Sequence, residues 1–159
     1  MDKDVDLVKS LMLALIPDNY KTEIAEDVSL VERGIIEMSV ALSLDLLINY
    51  ETITEDNDGE VVEIKKPVSC TPSLTANQAY LASYYAYRAY LLKLKDEFNR
   101  DAINFKTLTF EIKSLEKRPE AINDTLYQVN RYLSSVVDQV NGAGCILGTV
   151  VQFGGDTNA

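Results

Sequence analysis

The sequence predicts a mainly α protein, a helical bundle of about four helices with a β-hairpin or strand insertion and an extended C-terminal arm. Three observations predict it. Apolar residues recur at alternating steps of four and three in several long segments, two β-prone runs flank an Asp-Gly turn near the middle, and two later segments alternate in strand fashion. With 159 residues, 47% of them hydrophobic and 25% charged, the chain fits one domain with its own core. We expect the bundle domain over residues 1–141 and the C-terminal arm over 142–159.

The first two predicted helices cover residues 4–16 and about 20–50. The second has apolar positions at helical spacing on both sides of Gly34. Because glycine in a helix costs about 1 kcal/mol against alanine, we expect a break or bend between Asp27 and Gly34.

A hairpin or loop is predicted over residues 50–64. Two β-prone runs, 50–53 and 61–64, lie on either side of Asp58-Gly59, which is a strong turn signal. The acidic run between them also suggests calcium, but a calcium-loop frame places Thr54 at the first ligand position and Lys65 at the last, where a glutamate is needed. A solvated turn is therefore the better interpretation.

The central helix is predicted over residues 75–100, with apolar residues on two adjoining faces that several neighbours must cover. Thr75 and Gln78 have the spacing of a capping box at its start. The helix carries five tyrosines: Tyr80, Tyr84, Tyr85, Tyr87 and Tyr90. Large rings with polar tips fit a core helix whose hydroxyls reach solvent, and they equally fit a subunit interface.

Strand periodicity returns at residues 105–113, where Leu108, Phe110 and Ile112 alternate with polar residues. Such a strand needs a partner, which the hairpin, the C-terminal tail or a neighbouring subunit could supply.

The last helix is predicted to begin at Pro119 and to end near Val140, before Asn141-Gly142. Its apolar spacing matches that of the central helix, so we expect these two helices to form the main packing unit. The apolar tail that follows alternates like a strand. It could fold back on its own domain, or it could pair with a partner's sheet or lie in a partner's groove.

Composition excludes several functional classes. The chain has no histidine, no Walker-type loop and no dinucleotide fingerprint, so we predict a non-enzyme with no catalytic, cofactor-binding or metal-binding residues. A formal charge of −10 argues against wrapping nucleic acid or binding it sequence-specifically. No signal peptide or membrane segment is expected. Cys70 and Cys145 show no metal spacing, and we expect both as reduced thiols.

Three segments in succession resemble the head-tail adaptor, or connector, proteins of tailed bacteriophages. They are TANQAYLASYYAYRAYLLKLKDEF, NFKTLTFEIKS and RPEAINDTLYQVNRYLSSVV, and the resemblance covers roughly residues 20–140. It implies a helical bundle that forms a ring, commonly of twelve subunits, between the capsid portal protein and a tail or stopper protein. The protein would be made in the host cytoplasm and lie in the neck of the virion, with DNA passing through the lumen. An acidic lumen would repel DNA phosphates and let the genome slide.

The resemblance also implies contact residues. The C-terminal segment would dock on the portal or on a neighbouring subunit through Cys145, Ile146, Leu147, Val150, Val151 and Phe153. Contacts between subunits would use Leu108, Phe110, Ile112, Tyr50, Ile53, Val61 and Ile64. Two alternatives stay open: another neck or stopper component, and a cytosolic helical regulator that binds a partner between its tyrosines.

Overall fold

The computed structural model describes residues 4–17, 23–57, 60–106 and 117–153. The predicted class is confirmed, since four α-helices and one two-stranded antiparallel sheet make up this part of the chain. The elements are α1 (Asp4–Leu15), a 3-10 turn (Glu23–Glu26), α2 (Val28–Ala41), β1 (Leu47–Asn57), β2 (Glu60–Thr71), α3 (Ala76–Lys106) and α4 (Lys117–Phe153).

Helix α3 lies at the centre of the bundle, as its two apolar faces predict, and α1, α2 and α4 all pack against it. The capping box at its start is confirmed. The Gln78 amide donates to Thr75 Oγ1 (3.3 Å), and the Thr75 amide donates to Gln78 Oε1 (2.8 Å). Among the described residues the α2–α3 interface is more extensive than the α3–α4 interface, so the prediction that α3 and α4 form the main packing unit is wrong for this part of the chain.

The α2–α3 interface is extensive because Gly34 lets the two helices approach closely. A Cβ atom at Gly34 would lie 2.6 Å from the Ala82 carbonyl oxygen and 2.6 Å from the Ala86 nitrogen. The predicted break in this region occurs at Asp27, whose carboxylate caps α2 by accepting from the Ser29 amide (2.9 Å). Gly34 itself continues the helix.

The prediction of helix up to residue 50 is wrong, because α2 ends at Ala41. Ser43 takes a left-handed φ of 52° and its amide donates to the Val40 carbonyl (3.1 Å), while the Leu44 amide donates to the Ser39 carbonyl (2.8 Å). These two bonds form a Schellman ending without the usual glycine. The chain then turns into β1.

The hairpin is confirmed and is much longer than predicted. Strands β1 and β2 pair from Leu47 with Thr71 to Asn57 with Glu60, and the predicted turn residues Asp58 and Gly59 lie outside the described residues. The register shifts between Asn49 and Tyr50, which leaves Val68 as the extra residue of a bulge beside Pro67. Proline lacks an amide hydrogen, so a bulge is a site where a strand tolerates it.

The predicted helix end at Asn141-Gly142 is also wrong, because α4 continues to Phe153. Three glycines lie in this part of α4, Gly142, Gly144 and Gly148, at a cost of about 1 kcal/mol each, and continuing the helix keeps the backbone hydrogen bonds that an end at Asn141 would release. The backbone of the expected strand-like arm is thus helical as far as Phe153. The strand predicted over 105–113 begins with Phe105 and Lys106, which are the last residues of α3, and 107–113 lie outside the described residues.

Candidate functional site

The base of the hairpin is anchored to the bundle by polar contacts. The Cys70 amide donates to Asp4 Oδ2 on α1 (3.0 Å), and the Tyr50 hydroxyl donates to Glu32 Oε1 on α2 (2.5 Å). Across the strands, Asn49 Nδ2 donates to Thr71 Oγ1 (2.9 Å). These bonds fix the first third of the hairpin against α1 and α2.

Two side chains at this base have raised pKa values. Burial, together with the nearby Asp4 carboxylate, raises the pKa of the Cys70 thiol to about 11. The hydrogen bond to Glu32 raises the pKa of Tyr50. Both groups therefore stay protonated at neutral pH, and Cys70 is an unreactive buried thiol.

The outer part of the hairpin presents apolar side chains to solvent. Ile53 lies directly opposite Ile64, and Val62 shares their face because side chains alternate along a strand. Val62 is 41% exposed and Ile64 37% exposed. Tyr50 lies on the other face, toward α2, so the Ile53, Val62 and Ile64 face points away from that helix.

A second candidate surface is a groove between α3 and α4. It has a volume of about 340 Å³ and is lined by Leu42, Asn77, Gln78, Tyr80, Leu81, Tyr132, Val136 and Val140. Beside it, the hydroxyls of Tyr80 and Tyr84 are 3.2 Å apart, and the ring centroids of Tyr84 and Tyr132 are 4.6 Å apart. The hydrogen bond to Tyr80 and partial burial raise the pKa of Tyr84 to about 12.

The five tyrosines of α3 differ in exposure. Tyr85, Tyr87 and Tyr90 are buried in the core, whereas Tyr84 is half-buried and Tyr80 is exposed. The sequence offered a partner bound between tyrosines but did not identify the α4 side of this groove, where Tyr132, Val136 and Val140 lie across from Tyr80. Only the pairing of the two helices shows this arrangement.

A polar hollow of about 410 Å³ lies farther along the same helix pair. It is lined by Tyr85, Arg88, Asn130, Leu133, Ser134, Val137 and Asp138. Arg88 Nη1 donates to Glu37 Oε2 on α2 (3.2 Å), while Arg88 Nε is buried without a hydrogen-bond partner in the described part of the chain. The hollow contains both a guanidinium and a carboxylate, so it does not select for one sign of charge.

The predicted contact residues fall into three groups. Ile53 and Ile64 are brought together on one face of the hairpin, Tyr50 lies on the other face, and strand β2 also contains Val61. Cys145, Ile146, Leu147, Val150, Val151 and Phe153 lie in the helical end of α4, and the structure does not describe their side chains. Leu108, Phe110 and Ile112 lie outside the described residues.

Two searches of the described residues gave negative results. No group of three or more His, Cys, Asp or Glu side chains there could hold a metal ion. No helix in the same part of the chain is long and apolar enough to cross a membrane. Comparison of the chain with known protein families, curated proteins and solved structures gives no match.

Proposed function

We propose that this protein is a structural subunit of a bacteriophage neck, a head-tail adaptor that forms a ring between the capsid portal and a tail or stopper protein. The observation that carries the proposal is the hairpin Leu47–Thr71. Two strands of 11 and 12 residues extend from a helical bundle to which Tyr50 and Cys70 anchor their base. Isolated two-stranded hairpins are marginally stable in water, so a hairpin of this length gains most when another chain covers it.

Further support comes from the arrangement of helices around the hairpin. Helices α3 and α4 contain the first and the third of the three segments in which the sequence resembles the adaptors, and the hairpin leads directly into α3. From Val140 to Phe153 the chain is nearly all apolar or small, and α4 carries this stretch as one continuous helix. An apolar helix end can dock in a groove of a partner, and we assign this end to portal binding.

The formal charge of −10 fits a ring through which DNA passes. Acidic side chains along the lumen would repel phosphates and prevent the genome from sticking. The hairpin has six acidic residues and only two basic ones, Lys65 and Lys66, so it is one source of this charge.

Deletion of the end of α4 tests the proposal. A chain ending at Asn141 should keep the helical circular dichroism of the bundle and lose binding to portal rings of the same virus. A chain ending at Phe153 is the matched control and should bind like the full chain. Electron microscopy of the full chain with portal rings should show a second ring stacked on the portal. Failure of the full chain to bind any portal ring would contradict the adaptor function.

The groove beside Tyr80 and Tyr132 favours a second candidate, a helical regulator that takes an apolar partner between α3 and α4. Its volume of about 340 Å³ lies within the usual range for ligand pockets. Val140 is 49% exposed on its lining, so Val140→Asp should abolish binding by a regulator. The same substitution should leave association through the hairpin unchanged.

A further inference from the structure

The two outer edges of the hairpin differ chemically. In the described part of the chain, no third strand pairs with β1 or β2. Strand β1 contains neither proline nor lysine, the residues that commonly protect an edge, and it carries three acidic residues. Strand β2 contains Lys65 and Lys66 followed by Pro67, and its two acidic and two basic residues balance. The β1 edge is therefore open and acidic, and the β2 edge offers lysines.

We propose that the outer part of the β1 edge of one copy pairs with the β2 edge of a second copy from Glu60 to Lys66, beyond Pro67 and the Cys70 amide that bonds to α1, so that hairpins of successive subunits form one continuous antiparallel sheet. This inference rests on the proposed function in that it identifies the contact between subunits of the ring. The occupant of the β1 edge is a second copy of this chain.

The register within the hairpin indicates the register between copies. Inside one chain, Glu51 lies opposite Lys66, and Ile53 lies opposite Ile64. In an antiparallel sheet, the N–H and C=O of each residue point toward only one of the two neighbouring strands. A residue in a hydrogen-bonded pair with one neighbouring strand is therefore in a non-hydrogen-bonded pair with the other. Glu51 can therefore lie opposite Lys66, and Ile53 opposite Ile64, on the outer edge between two copies as well as within one chain. Each Glu51 then lies between two lysines, and the isoleucines form one apolar row across the sheet.

Charge favours this head-to-tail pairing over a symmetric one. Two β1 edges placed together would bring three acidic residues against three more, and like charges on neighbouring strands are destabilising. Pairing β1 with β2 instead places Glu51 beside Lys66 of the next copy. A contact between two different surfaces of the same chain is heterologous, and it generates a closed ring when its rotation closes.

Charge reversal with mixing tests the pairing. Glu51→Lys and Lys66→Glu should each weaken self-association at least about fivefold, because each replaces an attractive cross-strand pair with a repulsive one. Mixing the two single variants should restore association, since alternating copies have opposite charges at both contacts. The double variant Glu51→Lys/Lys66→Glu should associate like wild type. Lys9→Glu on α1 makes the same change in net charge as Lys66→Glu, but outside the hairpin, and should have no effect.

Sedimentation velocity at up to about 1 mM protein detects even contacts worth only about 4 kcal/mol. Circular dichroism confirms that each variant is folded. A folded single variant that associates like wild type would overturn the pairing, and so would a mixture that fails to recover or a wild type that stays monomeric. None of these results bears on portal binding, which the truncated chains test separately.

Discussion

Gly34 shows how a single missing side chain determines the distance between two helices. The Cβ of an alanine there would lie 2.6 Å from the Ala82 carbonyl oxygen, 2.6 Å from the Ala86 nitrogen and 2.7 Å from the Ala86 Cβ. Two of these atoms belong to the backbone of α3 and cannot rotate away. Helix α2 would therefore have to move as a unit, which would disturb the interface that contains the buried side chains of Val31, Ile35 and Met38.

We predict that Gly34→Ala lowers the free energy of unfolding by about 1–3 kcal/mol, the usual cost of overpacking. Within a helix, alanine is normally more favourable than glycine by about 1 kcal/mol. The measured loss of unfolding free energy is therefore the cost of the steric clash minus this gain. Urea unfolding followed by circular dichroism gives the value.

Gly142→Ala is the matched control on α4. A Cβ at Gly142 meets no atom within 4 Å, so this substitution should leave the free energy of unfolding unchanged or raise it by up to about 1 kcal/mol. Equal effects of the two substitutions would mean that close helix contact does not explain Gly34.

The same two glycines show what could not be predicted at the scale of single residues. In sequence, both are interruptions of an apolar helical pattern, and a break was expected near each one. The structure keeps both in helices: Gly34 lies where α3 is too close for a side chain, and Gly142 lies in a helix that continues through it and through Gly144 and Gly148. Sequence spacing cannot distinguish these cases, because the difference is whether atoms of another helix lie next to the glycine.

At the scale of elements, a charged pair links the start of α2 to α3. The Asp27 carboxylate accepts from the Ser29 amide as the N-cap of α2 and also pairs with Lys93 Nζ. Burial acts to raise the pKa of Asp27, but the bonds from Lys93 and Ser29 outweigh it, and the pKa lies below its usual value of 3.8. A lowered pKa means that the ionised carboxylate stabilises the fold at neutral pH and that this contribution is lost as the pH falls through and below 3.8.

We predict that Asp27→Asn lowers the free energy of unfolding at pH 7 by about 0.5–1 kcal/mol, a modest value because both side chains are partly exposed. Asparagine still caps the helix, so the loss reports the charge and not the cap. The difference from wild type should shrink as the pH falls below 3.8. For Lys93→Gln, the difference from wild type in the free energy of unfolding should depend on pH in the same way. A difference that stays constant with pH would show that the Asp27–Lys93 pair does not contribute to stability.

The hairpin shows which elements the sequence could predict. Its tip was located by Asp58-Gly59 and the β-prone runs on both sides. Its base was missed because the residues at 42–49 have helical spacing, and only the left-handed Ser43 and the anchoring bonds to Asp4 and Glu32 show that the chain has left α2. Long-range partners of this kind leave no local signal. The candidate surface was thus partly predicted, through Ile53 and Ile64, whereas Tyr50 anchors the opposite face to α2.

For the whole molecule, charge is the property that the sequence predicts most directly. The chain has 25 acidic and 15 basic residues and no histidine, so its net charge of −10 does not depend on histidine titration near neutral pH. The basic residues are concentrated from Lys93 to Arg118, where seven of the fifteen occur, and the hairpin is acidic. The molecule is therefore acidic overall with one less acidic segment.

We predict that the protein does not bind duplex DNA at about 0.15 M salt, because a chain of this charge releases few counterions from the phosphates. Fluorescence anisotropy of a labelled duplex measures binding, and the Lys9→Glu chain is a control that should also leave the anisotropy unchanged. Binding that weakens steeply with added salt would contradict the prediction, since it requires a basic surface. Loss of that binding in Lys117→Gln/Arg118→Gln would locate the surface at the start of α4, and the proposal of a repelling lumen would then be wrong.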